Sequence, residues 1–419
     1  MDIEMTRRER VITTLEHREP DRVPIDFAST HNSGINVLAY NRFKAYAGID
    51  TVTYMRDPIP MLASPDLEEG LEVIRMVGGD LLPLTRYYNF GVPASEWKEW
   101  ILKDGSKALV PGGFRPEIKA DGSQEMLLLG GLARLSMPAQ GHHFNLISRP
   151  LGFVENLSQL EDILPLLRQS GAFSISDEEL DILEPHARKL FNETDYAITA
   201  TGGPLFFSLY QIGQELFGYE KFFIFMVSEP DIIHCWLEFL TETCIERLEK
   251  YLKRLGPYLT VIMMGDDYGF QNSPQMSTKM FRQLFKPYLL RICRAVKEFA
   301  PGIKILLHSC GSILPFIPDF IEAGIDALNP VQVTAAGMDP LWLKNEFGKE
   351  IAFWGGGVRT QTTLIKGSPA DVAGEVKELI DIFKPGGGYI FCPIHDIQEE
   401  VPPEKIMAIF NAAREFGAY

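Results

Sequence analysis

The sequence predicts an α/β fold, a (β/α)8 TIM barrel carrying an N-terminal helical extension and an inserted small β-rich cap. Two observations carry this. Short apolar runs of strand length alternate with amphipathic helical patterns about eight times, joined by short connections, which implies a parallel sheet, either closed as a barrel or open and doubly wound. The count of about eight favours closure. In addition, polar and metal-ligating residues gather just after several of the strand runs, at the ends that form the mouth of a barrel.

The chain has 419 residues, longer than a single compact core usually needs, yet barrels with insertions reach this length as one domain. Hydrophobic residues make up 46% and aromatics 11%, enough to build a large core and to exclude domain-scale disorder. With 56 acidic against 40 basic residues the net charge is -16, so nucleic acid and anionic membrane surfaces are not expected partners. The N-terminus lacks an apolar signal core and no run of about 18 apolar residues occurs, which predicts a soluble, cytoplasmic protein. Five widely spaced cysteines do not form a disulfide framework. Cys235, Cys244 and Cys293 fall in helical patterns and read as core or helix-face residues.

Thr6 and Glu9 form a capping signature for a helix ending near His17, and a proline-punctuated turn leads to a first strand at 23–27. Helices are expected at 39–47 and 67–77, and a second strand within 78–84. Residues 87–150 break the rhythm with glycines, prolines and alternating stretches, and read as hairpins of a cap near the mouth. Ser158 and Glu161 suggest a capped helix start, and a helix at 177–193 precedes a strand at 197–200. Further strands are expected at 261–264, 303–307, 327–330, 351–355 and 389–391. The intervening helices are expected at 206–217, 221–228, 230–255, 277–300 as one helix or two, 313–323, 340–347 and 369–383, with a closing helix at 403–416.

His308 and Cys310 stand at the end of the run 303–307, two residues apart and so on one face of an extended chain. Cys392 ends another apolar run. One imidazole and two thiolates suit tetrahedral Zn2+ with a position left for substrate, whereas the alternative is a hydrogen-bonding histidine and two small core cysteines. Asp266 and Asp267 follow the strand at 261–264. Either could be a further metal ligand, a general acid or base, a holder of a cationic nitrogen, or simply a capping aspartate. Asp80 starts or ends a strand and is a weaker catalytic candidate. His395 could orient a ligand or donate a proton, or be an outlying surface histidine. The backbone of Thr201, Gly202 and Gly203 could receive an anion at a helix start, and Arg359 could grip a carboxylate, although close packing explains the glycines equally well. Phe206, Phe207 and Tyr210 read as core.

Several of these stretches resemble the uroporphyrinogen decarboxylase superfamily. They are Thr6-Arg-Arg-Glu-Arg-Val with Pro20-Asp-Arg-Val-Pro; Gly265-Asp-Asp with Met276-Ser and Phe285-Lys-Pro-Tyr; His308-Ser-Cys-Gly; Gly324-Ile-Asp-Ala-Leu-Asn-Pro-Val-Gln; and Cys392-Pro-Ile-His-Asp-Ile-Gln with Val-Pro-Pro-Glu. The resemblance covers most of the chain outside the 87–150 insertion and implies a barrel with its site at the strand C-terminal mouth, commonly dimeric. True decarboxylases carry an arginine motif that holds the porphyrin's acetate groups. Here the region after the first strand reads Ala28-Ser-Thr-His-Asn-Ser-Gly-Ile-Asn, without it. The other branch, cobalamin-dependent methyltransferases of one-carbon metabolism, is similar in having His-x-Cys followed some eighty residues later by a second cysteine. That resemblance implies zinc on His308, Cys310 and Cys392, and a corrinoid (cobalamin) cosubstrate delivered by a separate corrinoid protein. The other substrate would be a small-molecule methyl donor or acceptor, a thiol or tetrahydrofolate. A metal-independent decarboxylase or lyase anchored on Asp80 or Asp267, and a noncatalytic corrinoid or tetrapyrrole binder, are the alternatives.

Overall fold

The computed structural model describes residues 5–85, 88–89, 92–93, 96–128, 133–141, 143–170, 173–201 and 208–419. Seven parallel strands follow one another in both sequence and space: β1 (Leu81–Thr85), β2 (Ala197–Thr201), β3 (Val261–Gly265), β4 (Lys304–His308), β5 (Ala327–Asn329), β6 (Ala352–Trp354) and β7 (Tyr389–Ile390). The eighth position belongs to the first predicted strand. Residues 24–26 bond to both free edges, with Phe391 N donating to Pro24 O, Asp26 N to Phe391 O and Asp80 N to Ile25 O, each at 2.8 Å. The sheet therefore closes through a segment too short to extend as a full strand.

Side-chain parity divides the strands into two layers. Leu81, Ala197, Val261, Leu306, Ala352 and Ile390 fill the barrel, while Leu82, Ile198, Ile262, Ile305, Leu307 and Phe353 pack outward under the helices. The helix Arg7–Leu15 plugs the bottom, contributing Val11 and Leu15 to the interior cluster, and its Thr6/Glu9 capping box forms as expected. The helix predicted to begin at Ser158 is instead capped by Asn156, whose side chain accepts from Gln159 N, because Asn-x-x-Gln offers the same geometry two residues earlier.

The insertion is antiparallel. A hairpin pairs Trp97–Ile101 with Lys107–Pro111, and a four-stranded sheet runs from Glu117–Ile118 to Asn145–Leu146. Its inward residues Val110, Phe114, Met126 and Leu135 form a second apolar cluster with Val37, Leu38, Met55 and Ile59. Lys103 of the hairpin reaches Glu399 at 2.7 Å, beyond β7, which ties the cap to the mouth side. Among the described residues no helix is long and apolar enough to cross a membrane.

Candidate metal centre

His308 is the last residue of β4 and shares its parity with Leu306, so its ring turns inward at the top of the barrel. Asn329, at the end of β5, donates through Nδ2 to Trp354 O at 2.9 Å, which leaves its Oδ1 facing His308 Nδ1 at 2.6 Å. His308 Nδ1 must then carry the proton, and its Nε2 lone pair is free to ligate. Burial lowers the His308 pKa despite the nearby Asp267 charge, which keeps the ring neutral.

Cys310 and His395 join it. Cys310 Sγ lies 3.4 Å from His308 Nε2, and one ligand atom from each of His308, Cys310 and His395 falls within 4.8 Å of the others. His395 Nδ1 is bonded to Asp396 Oδ1, so its Nε2 faces the same point. Burial opposes charge on His395, but the bond and charge of Asp396 outweigh it and raise its pKa. Burial, reinforced by the charge of Asp267, pushes the Cys310 thiol well up. A thiol held protonated beside a carboxylate and two imidazole lone pairs is a set of donors that a soft cation would complete.

Asp267 accepts the Cys310 amide through Oδ1 at 2.8 Å and stands 3.6 Å from His308 Nε2. It also lines a cavity of about 270 Å3 at the mouth, together with His31, Asn32, Thr201, Gln211 and Met263. No Lys or Arg is among the described residues lining that cavity.

The other sequence candidates are placed elsewhere. Cys392 does not reach the cluster: it shares parity with Ile390 but is fully buried inside the barrel, where its Sγ receives Asn329 Nδ2 at 3.8 Å. Asn329 thus stands between it and His308. Burial and the charge of Asp26 push the Cys392 thiol far up. Asp80 precedes β1, at the opposite face. It is fully buried and clamped by Arg10 (2.7 Å), Arg22 (2.8 and 2.9 Å) and Ile25 N (2.7 Å), which is a structural ion-pair network at the stability face of a barrel rather than a catalytic position. Asp266 is also consumed structurally, accepting from Ser208 Oγ, the amides of Leu209, Tyr210 and Gln211, and Tyr268 OH. These bonds fix the start of the helix Gln211–Phe217, and Asp266 is not among the residues that line the cavity.

Arg359 is held by the buried carboxylate of Glu375 instead of facing a ligand. Thr201 lines the cavity, while Gly202, Gly203, Phe206 and Phe207 lie outside the described residues. Tyr210 is core, stacked on Tyr268. Sequence reasoning missed Asn32, whose Nδ2 lies 3.2 Å from His308 Nε2 and 3.3 Å from His395 Nε2, and Asn329 as the residue that sets the His308 tautomer. The available signal for Asn32 was position alone, a polar His-Asn pair just past the first strand.

The family model for Uroporphyrinogen decarboxylase (URO-D) matches residues 178–416. The uroporphyrinogen decarboxylase of Vesicomyosocius okutanii is 23% identical over 232 residues, 55% of this chain and 62% of that protein. That of Nitrosococcus oceani is 25% identical over 194 residues, 46% of this chain and 50% of that protein. The chain thus spans about half to three-fifths of the curated relatives it matches. A solved methyltransferase from Methanosarcina mazei superposes with a TM-score of 0.60 at 16% identity, covering 99% of both chains, which supports the barrel fold.

Proposed function

The chain belongs to the uroporphyrinogen decarboxylase (URO-D) family, and from that premise we propose that it is a zinc-dependent methyltransferase that moves a methyl group between a corrinoid and a thiol or tetrahydrofolate. The observation that carries this reading is the convergence of His308 Nε2, Cys310 Sγ and His395 Nε2 at the strand C-terminal mouth. These three residues would hold the metal, with His395 in the role that the family resemblance implied for Cys392. Zinc bound there would lower the pKa of a substrate thiol and supply thiolate at neutral pH.

The chain's own residues prepare the site. Asn329 fixes the His308 tautomer, Asp396 orients His395, and Asp267 anchors the loop that carries Cys310. A cavity of about 270 Å3 lies just under the usual range for drug-sized ligands, roughly 300–1,000 Å3, and suits a small acceptor or donor. The corrinoid, far larger, would approach from outside on a partner protein.

The decarboxylase reading draws on the names of the relatives. Against it, a polycarboxylate would enter a cavity whose described lining holds Asp267 and no Lys or Arg. Protein purified without added metal should contain near-stoichiometric zinc and should demethylate methylcobalamin with a suitable thiol or tetrahydrofolate. A fully folded, metal-free protein that releases CO2 from a carboxylated pyrrole would overturn the proposal.

A further inference from the structure

We propose that Asn32 is the fourth protein ligand of the metal centre, its side-chain oxygen occupying the vertex that its amide nitrogen marks in this structure. This rests on the metal reading above.

The distances make the case. Zinc binds nitrogen at about 2.0–2.1 Å and sulfur at about 2.3 Å, so neighbouring ligand atoms of a tetrahedral site stand roughly 3.3–3.6 Å apart. Asn32 Nδ2 is 3.2 Å from His308 Nε2 and 3.3 Å from His395 Nε2, and Cys310 Sγ is 3.4 Å from His308 Nε2. The amide therefore sits at a ligand-to-ligand edge length from both imidazoles at once.

The direction of its bonds accounts for the amide nitrogen facing the two rings. Both rings have their Nδ1 engaged, His308 by Asn329 Oδ1 and His395 by Asp396, so in the neutral rings that a metal would require both Nε2 atoms offer lone pairs to the same point. An amide NH2 has two protons, one for each lone pair. The amide's O and N are close to isosteric, so a half-turn of its terminal torsion places Oδ1 on that vertex with no backbone movement. A cation held between the two lone pairs would reverse the preference and favour the oxygen.

The loop is built to hold this residue in place. Thr30 and Ser33 exchange hydrogen bonds, with Thr30 N to Ser33 Oγ and Ser33 N to Thr30 Oγ1, both 3.1 Å. Ser29 N donates to Asp26 Oδ1 at 3.0 Å, and the same fully buried carboxylate accepts Trp354 Nε1 at 2.8 Å. Asn32 thus projects from a short turn pinned to the barrel interior. Asp267 is the rival for the fourth vertex. Its Oδ1 touches one imidazole edge at 3.6 Å and is committed to the Cys310 amide, a position that supports Cys310 without completing the tetrahedron. A neutral amide oxygen would be the weakest donor of the four and the one a substrate thiol most readily replaces.

The test is zinc affinity of the full-length protein by competition with a chromophoric chelator, with folding checked by circular dichroism. Asn32→Ala removes the weakest donor, whose vertex a water can take, and so should weaken zinc binding only by about as much as loss of a supporting residue, roughly tenfold to hundredfold. Asn32→Asp, isosteric and anionic, should bind zinc at least as tightly as the wild type, and Asp267→Asn should cost less than Asn32→Ala. In the Co2+-substituted protein, the visible ligand-field bands should shift in Asn32→Ala and keep their intensity in Asn32→Asp. Wild-type zinc binding with an unchanged Asn32→Ala affinity overturns the role of Asn32 and leaves the three-residue centre standing. Absence of zinc binding in the wild type overturns the centre itself, and Asn32 with it.

Discussion

Cys392→Ala and His395→Ala should have opposite effects, and the difference is calculable. Cys392 is fully buried among interior side chains, and its thiol meets Asn329 Nδ2 at 3.8 Å. Truncation removes one sulfur, about the size of a methylene, so transfer accounts for about 0.8 kcal/mol and the small residual cavity brings the total to about 1–2 kcal/mol. In a chain of 419 residues that lowers the melting temperature by about 1–3 °C. Zinc content should not change. His395 is the reverse: it lies near the mouth, packs against His308 with ring centroids 5.9 Å apart, and its removal leaves stability nearly intact. Loss even of a residue that merely supports a ligand weakens metal binding roughly 10- to 100-fold, so loss of an imidazole ligand, a stronger donor than an amide oxygen, should exceed that. The assay is metal content by mass spectrometry alongside differential scanning calorimetry of the same preparations. A Cys392→Ala protein that loses its metal while His395→Ala retains it would show that the centre is built on the cysteine and that the placement argued above is wrong.

Asp80→Asn should lower stability by about 3 kcal/mol, the low end for a broken buried pair because Arg10 keeps Asp21 at 2.6 Å, with zinc content and turnover per folded molecule unchanged. Normal denaturation midpoints with lost turnover would instead return Asp80 to catalysis. Asn329→Ala frees His308 to change tautomer and should weaken zinc binding roughly 10- to 100-fold; equal affinity would mean that the Nδ1 bond does not govern the ligand. Burial pushes Glu215 up to about 7 against an ordinary 4.5, so the folded state keeps a proton that the unfolded chain releases. Stability then falls as pH rises from about 4.5 to about 7, less steeply than full burial would impose because Glu215 is partly exposed, and Glu215→Gln should flatten that slope. Urea midpoints at about pH 5 and pH 8 measure it, and parallel profiles for wild type and variant would refute the assignment.

What the sequence made legible follows from which physical variables it encodes directly. Helix starts are local chemistry, and the caps at Ser176, Ser277 and Ser368 sit where the helices at 177–193, 277–300 and 369–383 were expected. Strand parity is also local: His308 turns inward with Leu306, and Cys392 turns inward with Ile390, as a period of two requires. Depth is not local. How far a residue stands along the barrel axis depends on the stagger between strands, set by closure of the whole sheet. Cys392 therefore has the right face and the wrong height, and the chain must run three residues further, to His395, before an imidazole meets His308 at the mouth. The same missing variable left Asp80 open between the two ends of its strand, because Gly-Gly-Asp-Leu-Leu does not say which end it marks. Only the pairing of Leu81 with Ala197 puts that carboxylate below the sheet. Asn32 was hidden for a different reason. An asparagine in a polar turn is ordinary, and its chemistry emerges only from two ring nitrogens whose lone pairs are aimed by partners on β5 and in the loop after β7. A ligand identified by convergence cannot be read from spacing, since the elements that converge are separated by 276 residues to His308 and 363 to His395.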